Sequence, residues 1–401
     1  MEEKKFAYII AGGGLAAASA VTGIREIDPN GAILLVGNEL HLPYDRPPLS
    51  KQLWFGKKKP GEIFIHPKNF YDEQGVTLIS GAMVTAVDPK LKKIATGKGQ
   101  VFHYEKLLLA TGSRPKILAI PGAAQNGAYY YRSLDDYLKV KNRAGEGKSA
   151  VVIGGGFIAS ELAAALTINK LDVTMVFPGP FICHRIFPDY LGREIQRRYD
   201  EKGVNILDKE KPAAIAKHGD IFLTITESGK RIESDIVVIG AGVAPETELA
   251  RSSGIETGDG IVVNPYLQTS HPDIYAAGDN ALFPYQALGR AMRVEHWDNA
   301  LNQGKWAGRN MAGAREPYAY MPYFFSDLFE FGYEAVGEID STLETYADWQ
   351  KENDTGVVYY LRNGRVRGAM MCNVWNQVDR ARAMILKGEE INRGSLQEAI
   401  I

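Results

Sequence analysis

A glycine cluster that occurs twice, Gly12-Gly13-Gly14 and Gly154-Gly155-Gly156, constrains this chain more than any other feature. Each cluster follows a short apolar run, Phe6 to Ile10 and Ala150 to Ile153. Each precedes an alanine-rich stretch without proline, Leu15 to Ile27 and Phe157 to Ile168. That order spells strand, tight turn, helix. A second strand comes next in both places, Ala32 to Val36 after the breaking Pro29-Asn30-Gly31, and Asp172 to Phe177, which completes a βαβ unit each time. Gly12 and Gly154 are 142 residues apart, far beyond a solenoid period, so the recurrence predicts two nucleotide-binding domains.

Within Gly12-x-Gly14-x-x-Ala17 the first glycine permits the tight turn and the second lets backbone approach a pyrophosphate. The small third residue allows helix and strand to pack closely. Gly13, Leu15 and Ala16 complete the turn and open the helix, whose first N–H groups face the phosphates. An acid near the end of the second strand is needed for the adenosine ribose, and Asn38-Glu39 stands there; Glu39 also fits a solvated loop acid. The second fingerprint, Gly154-x-Gly156-x-x-Ala159, has equally good glycines, but its second strand ends Val176-Phe177-Pro178-Gly179 without an acid. A carboxylate there would bind the ribose diol and repel the extra phosphate of NADPH. His184 and Arg185 follow shortly, either as contacts for a 2′-phosphate or as ordinary loop residues.

Two apolar runs, Leu107 to Gly112 with Ala110 and Thr111 near its end, and Ile236 to Gly242, finish in small residues where backbone can approach a cofactor. Thr269-Ser-x-x-x-Ile-Tyr-Ala-Ala-Gly-Asp279 places a carboxylate at a strand end, suited to ribityl hydroxyls or, alternatively, to capping a helix. Strand-like stretches lie around Thr77 to Val87 and Val101 to Ala110, and a charged segment, Lys141 to Lys148, precedes the second unit. From Tyr318 onward aromatic residues crowd in. Strands at Gly356 to Leu361 and Val366 to Met371, joined by Asn363-Gly364, predict a hairpin within a third, α+β domain.

The 401 residues are 45% hydrophobic and 23% charged, with a net charge of -2, so neither nucleic acid nor an anionic membrane meets a global attraction. Met1-Glu-Glu-Lys-Lys leads into an apolar run too short for a membrane span or signal core, which points to a cytoplasmic protein. Cys183 and Cys372 form no Cys-x-x-Cys, so no metal site and no local dithiol are written, and two buried thiols are expected.

Together, the two fingerprints, Ala-Thr-Gly112 and Ala-Gly-Asp279 resemble the flavoprotein reductases with two dinucleotide domains. Leu42-Pro-Tyr-Asp-Arg-Pro-Pro-Leu-Ser-Lys51 is similar to the segment shared by NADH-dependent ferredoxin and rubredoxin reductases and apoptosis-inducing factor. Gly-Gly-Gly-Phe157-x-x-Ser-Glu161, Arg293-Val-Glu-His296, Ser326-Asp-Leu328 and Gly332-Tyr-Glu334 resemble apoptosis-inducing factor more closely still. The resemblance runs from about Phe6 to about Gly388.

It implies an α/β fold with two Rossmann-like domains, for FAD and NAD(P), plus a C-terminal α+β domain. The FAD domain is expected to be discontinuous over residues 1–120 and 245–320, the NAD(P)H domain to span 121–244, and a reductase- or dimerisation-like domain to span 321–401. It also implies that Lys51 pairs with Glu161 beside the reactive edge of the flavin, a positive charge there favouring the anionic reduced ring. Arg46 and Arg132 match positions that contact FAD, Val84 a backbone contact to adenine, and His296 and Trp297 positions by the flavin. Phe157, with Ile158 beside it, matches an aromatic gate over the flavin. Arg185, Gly242, Glu295 and Glu334 fall where relatives contact the nicotinamide dinucleotide. Two departures stand out. Phe325 replaces a tryptophan often found before Ser-Asp, keeping the ring but losing the indole N–H. Gly179 stands where relatives carry an acid, so the family's lean towards NADH is weakened here. The implied activity is hydride transfer from NAD(P)H to FAD N5 and onward delivery to a ferredoxin- or rubredoxin-type acceptor. Two alternatives remain: a redox sensor like apoptosis-inducing factor, with a stable FADH–NAD charge-transfer complex and NADH-linked homodimerisation, and a quinone or dye reductase.

Overall fold

The computed structural model describes residues 4–125, 127–390, 393–397 and 399–400; the first three residues of the N-terminal segment considered above lie outside them. The chain is a mixed α/β protein with two Rossmann-like dinucleotide-binding folds and a C-terminal α+β region, and it clusters into two compact units. One comprises Met1–Asp45, Gly61–Arg114 and Ala244–Pro322; the other comprises Arg46–Pro60, Pro115–Val243 and Tyr323–Ile401.

In the first unit, strands Val76–Ile79, Ile33–Val36, Lys4–Ala11 and Val101–Leu109 are parallel neighbours in that order. Ile274–Ala276 adds a further parallel strand beside Val101–Leu109, in register Leu107↔Ile274. The sheet continues on Val101–Leu109 through an antiparallel pair, Lys93–Thr96 and Val84–Asp88; Lys93–Thr96 carries no strong sequence signal of its own. Ile9, Ile10, Leu34 and Leu108 are fully buried, as expected where helices cover a parallel sheet. The helix Leu15–Arg25 lies against the helix Trp297–Met311 with almost nothing between their backbones. A Cβ at Gly304 would sit 2.2 Å from the Ala16 carbonyl oxygen, and one at Gly308 2.2 Å from that of Ala20.

The second unit repeats the plan. Its five parallel strands run Asn205–Leu207, Asp172–Val176, Ser149–Ile153, Ile236–Ile239 and Ala128–Tyr130, with the helix Phe157–Ile168 following the glycine turn as the sequence predicts. A three-stranded antiparallel layer, Pro212–His218, Ile221–Thr226 and Arg231–Ser234, seals the core through Ile215 and Phe222, packed with Val151, Ile153 and Val237. The C-terminal region forms a five-stranded antiparallel sheet, in the order Tyr323–Leu328, Phe331–Gly337, Arg365–Cys372, Thr355–Arg362 and Glu344–Lys351. The expected hairpin is present, with Asn363 and Gly364 both at positive φ, as a two-residue turn of this hand requires. Among the described residues no helix is long and apolar enough to cross a membrane.

Candidate functional site

Both glycine turns are built by the same constraint. Gly12 has φ 142° and a Cβ on it would stand 2.0 Å from the Ala110 carbonyl oxygen; Gly154 has φ 134° and its Cβ would stand 2.4 Å from that of Gly240. Only glycine satisfies both the conformation and the space. Gly14 and Gly156, by contrast, face open space, and each is the N-cap of its helix with no capping side chain and no acid in the first turn. Uncapped N–H groups, the positive helix end and free volume together fit an anionic pyrophosphate at each turn.

The two turns differ beyond the phosphates. In the first unit Gly13 meets Gly37, the strand then leads to exposed Asn38 and half-buried Glu39, and the Tyr44 hydroxyl donates to Glu39 Oε2 at 2.5 Å. Glu39 is thus a held acceptor rather than a loose solvated acid. Ala110 N–H donates to the Ala11 carbonyl, and Thr111 Oγ1 donates to the Glu246 carbonyl while accepting from Asn280 Nδ2. Gly112 turns at φ 66°. Val84 is buried at the start of its strand. Asp279 follows Gly278, on which a Cβ would stand 3.2 Å from that of Ala16, and it precedes the strand Ala281–Tyr285 rather than a helix. Asn280 Oδ1 and Gln303 Nε2, both buried in this unit, have no protein hydrogen-bond partner among the described residues, as groups reserved for a ligand or solvent would be. Trp297 Nε1 donates to Asp45 Oδ1 at 2.7 Å. His296 caps the helix Trp297–Met311 with its backbone; burial pushes its imidazole down to about 4 against the pull of Asp279, leaving it neutral near pH 7. Glu295 lies in this unit too, exposed and paired with Arg293.

In the second unit Gly155 packs on the Phe177 ring, and Gly179 is buried against His184. Arg185 is exposed, Gly242 turns at φ 91° with its carbonyl accepting from Lys116 N–H, and Ile158 is exposed on the first helical turn. Phe157 meets Phe324 edge to face, centroids 5.4 Å apart. Glu334 lies opposite Phe325 in the C-terminal sheet; burial raises its pKa while the Asn376 N–H opposes this.

The segment carrying Arg46 and Lys51 belongs to this second unit, as do Arg132 and Phe325. Its shape is set by buried aromatics that sequence patterns do not reveal. Tyr131 OH donates to the Leu49 carbonyl and accepts from Trp54 Nε1, and Tyr137 OH donates to the Leu53 carbonyl. Arg46 Nη1 donates to the Arg132 carbonyl at 2.6 Å. The result is a Lys51 only 4% exposed, with Nζ 3.1 Å from Glu161 Oε1, 3.3 Å from Asp327 Oδ2 and 4.5 Å from the centre of the Phe325 ring. Glu161, 6% exposed, accepts further hydrogen bonds from Ser50 Oγ and Ser326 Oγ, each at 2.6 Å. The lysine is therefore no isolated cation: it sits between two carboxylates, and the ion pair is completed by two hydroxyls that satisfy the remaining acceptor sites. Ser50, Ser326 and Asp327 are the additions the structure makes to the expected pair. Ser50 and Ser326 flank residues already singled out, but nothing in a linear pattern aims them at Glu161.

The sequence from residue 6 to 304 matches the family model described as pyridine nucleotide-disulphide oxidoreductase, and residues 307–355 match that of the apoptosis-inducing factor, mitochondrion-associated, C-term. The chain is 33% identical to "Apoptosis-inducing factor 1, mitochondrial" of Dictyostelium discoideum, over 99% of this chain and 81% of that protein. It is 32% identical to the ferredoxin–NAD(+) reductase component of the anthranilate 1,2-dioxygenase system of Burkholderia cepacia, over 95% of this chain and 94% of that one. Among solved structures, the ferredoxin reductase for the CYP199A2 system from Rhodopseudomonas palustris superposes with a TM-score of 0.91 at 29% identity, covering 98% and 97% of the two chains.

Proposed function

The chain belongs to the pyridine nucleotide-disulphide oxidoreductase family, an FAD- and NAD(P)H-dependent oxidoreductase of the ferredoxin-reductase type, and from that premise we propose that it delivers electrons to a ferredoxin- or rubredoxin-type carrier. The observation that carries this reading is the state of the thiols. Cys183 and Cys372 are both free and buried, and burial raises both thiols, that of Cys183 to about 12. Neither is a thiolate near pH 7, so neither serves as the redox partner that a disulphide reductase places next to its flavin. Electrons then leave to an external acceptor.

FAD, when bound, would supply the hydride acceptor for the nicotinamide and the store from which electrons pass onward. The residues proposed to hold it are Gly12, Gly14, Glu39, Thr111 and Asp279, with Gly154, Gly156, Arg185 and Glu334 holding NAD(P)H. Lys51 is the proposed catalytic group. Glu161 fixes its ammonium, Ser50 and Ser326 fix Glu161, and Phe325 shields it from water, so the charge needs no rearrangement during the reaction. Residues 1–120 and 245–320 are proposed as the FAD-binding domain, 121–244 as the NAD(P)H-binding domain and 321–401 as the C-terminal domain, with the segment Arg46–Pro60 clustering by contacts with the second unit.

A second reading, a redox sensor like apoptosis-inducing factor, is favoured by the match over residues 307–355. Reduction by NAD(P)H followed by addition of a ferredoxin separates the two. Rapid flavin reoxidation by the ferredoxin supports the reductase. An air-stable long-wavelength band with a doubling of molar mass and no response to ferredoxin supports the sensor and overturns the carrier proposal.

A further inference from the structure

We propose that the second dinucleotide site selects NADPH over NADH, with His184 and Arg185 as the specificity-determining residues; this rests on the assignment of Gly154–Ala159 to the nicotinamide dinucleotide. NADH is distinguished by a free ribose 2′-hydroxyl, which a carboxylate recognises and whose phosphorylated form that carboxylate repels. Here the second strand ends without an acid, and the place is also blocked. A Cβ at Gly179 would lie 2.3 Å from His184 Nδ1, so the imidazole occupies the volume a side chain at 179 would enter.

The loop bearing His184 and Arg185 is fixed on both flanks. Cys183, held at φ 53°, donates its N–H to the Gly155 carbonyl at 2.7 Å, which ties the loop to the glycine turn itself. Ser341 Oγ donates to the His184 carbonyl and Ser341 N–H to the Arg185 carbonyl, at 2.7 and 2.9 Å. The Arg185 guanidinium is exposed and forms no hydrogen bond or ion pair with any described residue. Lys209, also exposed, donates its N–H to the Gly179 carbonyl, bringing a third basic residue to the same turn. Of the acids beside Lys209, Glu210 is engaged by Lys230 and Ser228, and Asp208 is within electrostatic reach of Arg193 and Asp200. Where an NADH site would present a carboxylate, a 2′-phosphate would thus meet the His184 imidazole, with the exposed guanidinium of Arg185 carried on the next residue of the same fixed loop.

Calorimetric titration of the FAD-loaded protein with adenosine 2′,5′-bisphosphate and with ADP tests this, together with kcat/KM for both reduced cofactors. The bisphosphate is expected to bind at least about tenfold tighter than ADP, and NADPH to exceed NADH in kcat/KM by a similar factor. His184→Ala and Arg185→Ala should each shrink that ratio by roughly tenfold, and Gly179→Glu combined with His184→Ala should invert it. Equal binding of the two nucleotides, or tighter ADP, overturns the preference while leaving the dinucleotide site standing. Failure of both to bind overturns the site assignment and the preference together.

Discussion

The two glycine turns share their backbone geometry and differ in the side chains that follow one strand further on. At Gly12 and Gly154 the φ angles agree within ten degrees, the forbidden Cβ meets a carbonyl just past the end of a neighbouring strand in both, and Gly14 and Gly156 both open onto space. One strand further on, the first unit offers Glu39 pinned by Tyr44, and the second offers Gly179 filled in by His184. The helices diverge as well. Four residues after its leading residue, the first helix buries Ser19, whose hydroxyl has no protein partner among the described residues, whereas the second buries Glu161 with three. A glycine turn of this kind can thus be duplicated almost unchanged, because it is made of backbone, while the side chains around it diverge; on the proposed assignment those side chains set which nucleotide is held.

The sharpest way to break this equivalence is to put a methyl group in each turn. Gly12→Ala and Gly154→Ala each combine a disfavoured φ with a collision on backbone and should cost about 3–5 kcal/mol. Gly12→Ala should purify without flavin absorbance; Gly154→Ala should keep its flavin and lose reduction by NAD(P)H. If both variants lose flavin equally, the two turns do not serve different cofactors. Next in size is the helix contrast. Glu161→Ala strands the buried Lys51 beside a single carboxylate and should cost about 3 kcal/mol in denaturant unfolding and slow hydride transfer. The matching Ser19→Ala should stay within about 0.5 kcal/mol.

Glu39→Gln removes one charged acceptor and should weaken FAD binding by about 1–2 kcal/mol, read from apoprotein reconstitution with FAD, and should leave riboflavin binding unaltered because riboflavin has no adenosine. The smallest effect is a pH dependence confined to the second unit. Asp235 accepts from Lys148 Nζ and from the N–H and hydroxyl of Ser149, where the fingerprint strand begins, and these partners hold its pKa down at about 2. Its folded value lies below the unfolded one, about 3.9, so its stabilisation is complete above that and fades as pH falls towards 2. Asp235→Asn should cost about 1 kcal/mol at pH 7 and flatten the acid limb of the melting curve.

Much of this is legible in the sequence itself. Glycine at a forced φ, small residues at a crossing and apolar runs of strand length are local signals, and they placed Gly12, Gly154, Ala110 to Gly112 and the Asn363-Gly364 turn. The family resemblance pairs Lys51 with Glu161, and the two stand 3.1 Å apart. What stayed hidden was whatever depends on side chains meeting across the fold. Tyr131 reaching the Leu49 carbonyl, Ser326 reaching Glu161 and the imidazole of His184 lying over Gly179 are settled by packing, and no periodicity encodes them. The missing acid at 179 was visible as an absence; what replaced it was not.

The glycine-bedded contact between the helices Leu15–Arg25 and Trp297–Met311 bears on the order of events at the ribosome. The first helix emerges early, yet the glycines that seat against its carbonyls, and the strand Ile274–Ala276 that completes its sheet, come only after the whole of residues 115–243 has been made. Until then the nascent first unit carries an unpaired strand edge and a bare helix face, the kind of surface that chaperones cover and aggregates exploit. A chain arrested before residue 270 would expose both, so protection of the early segment against protease should appear only with the late one.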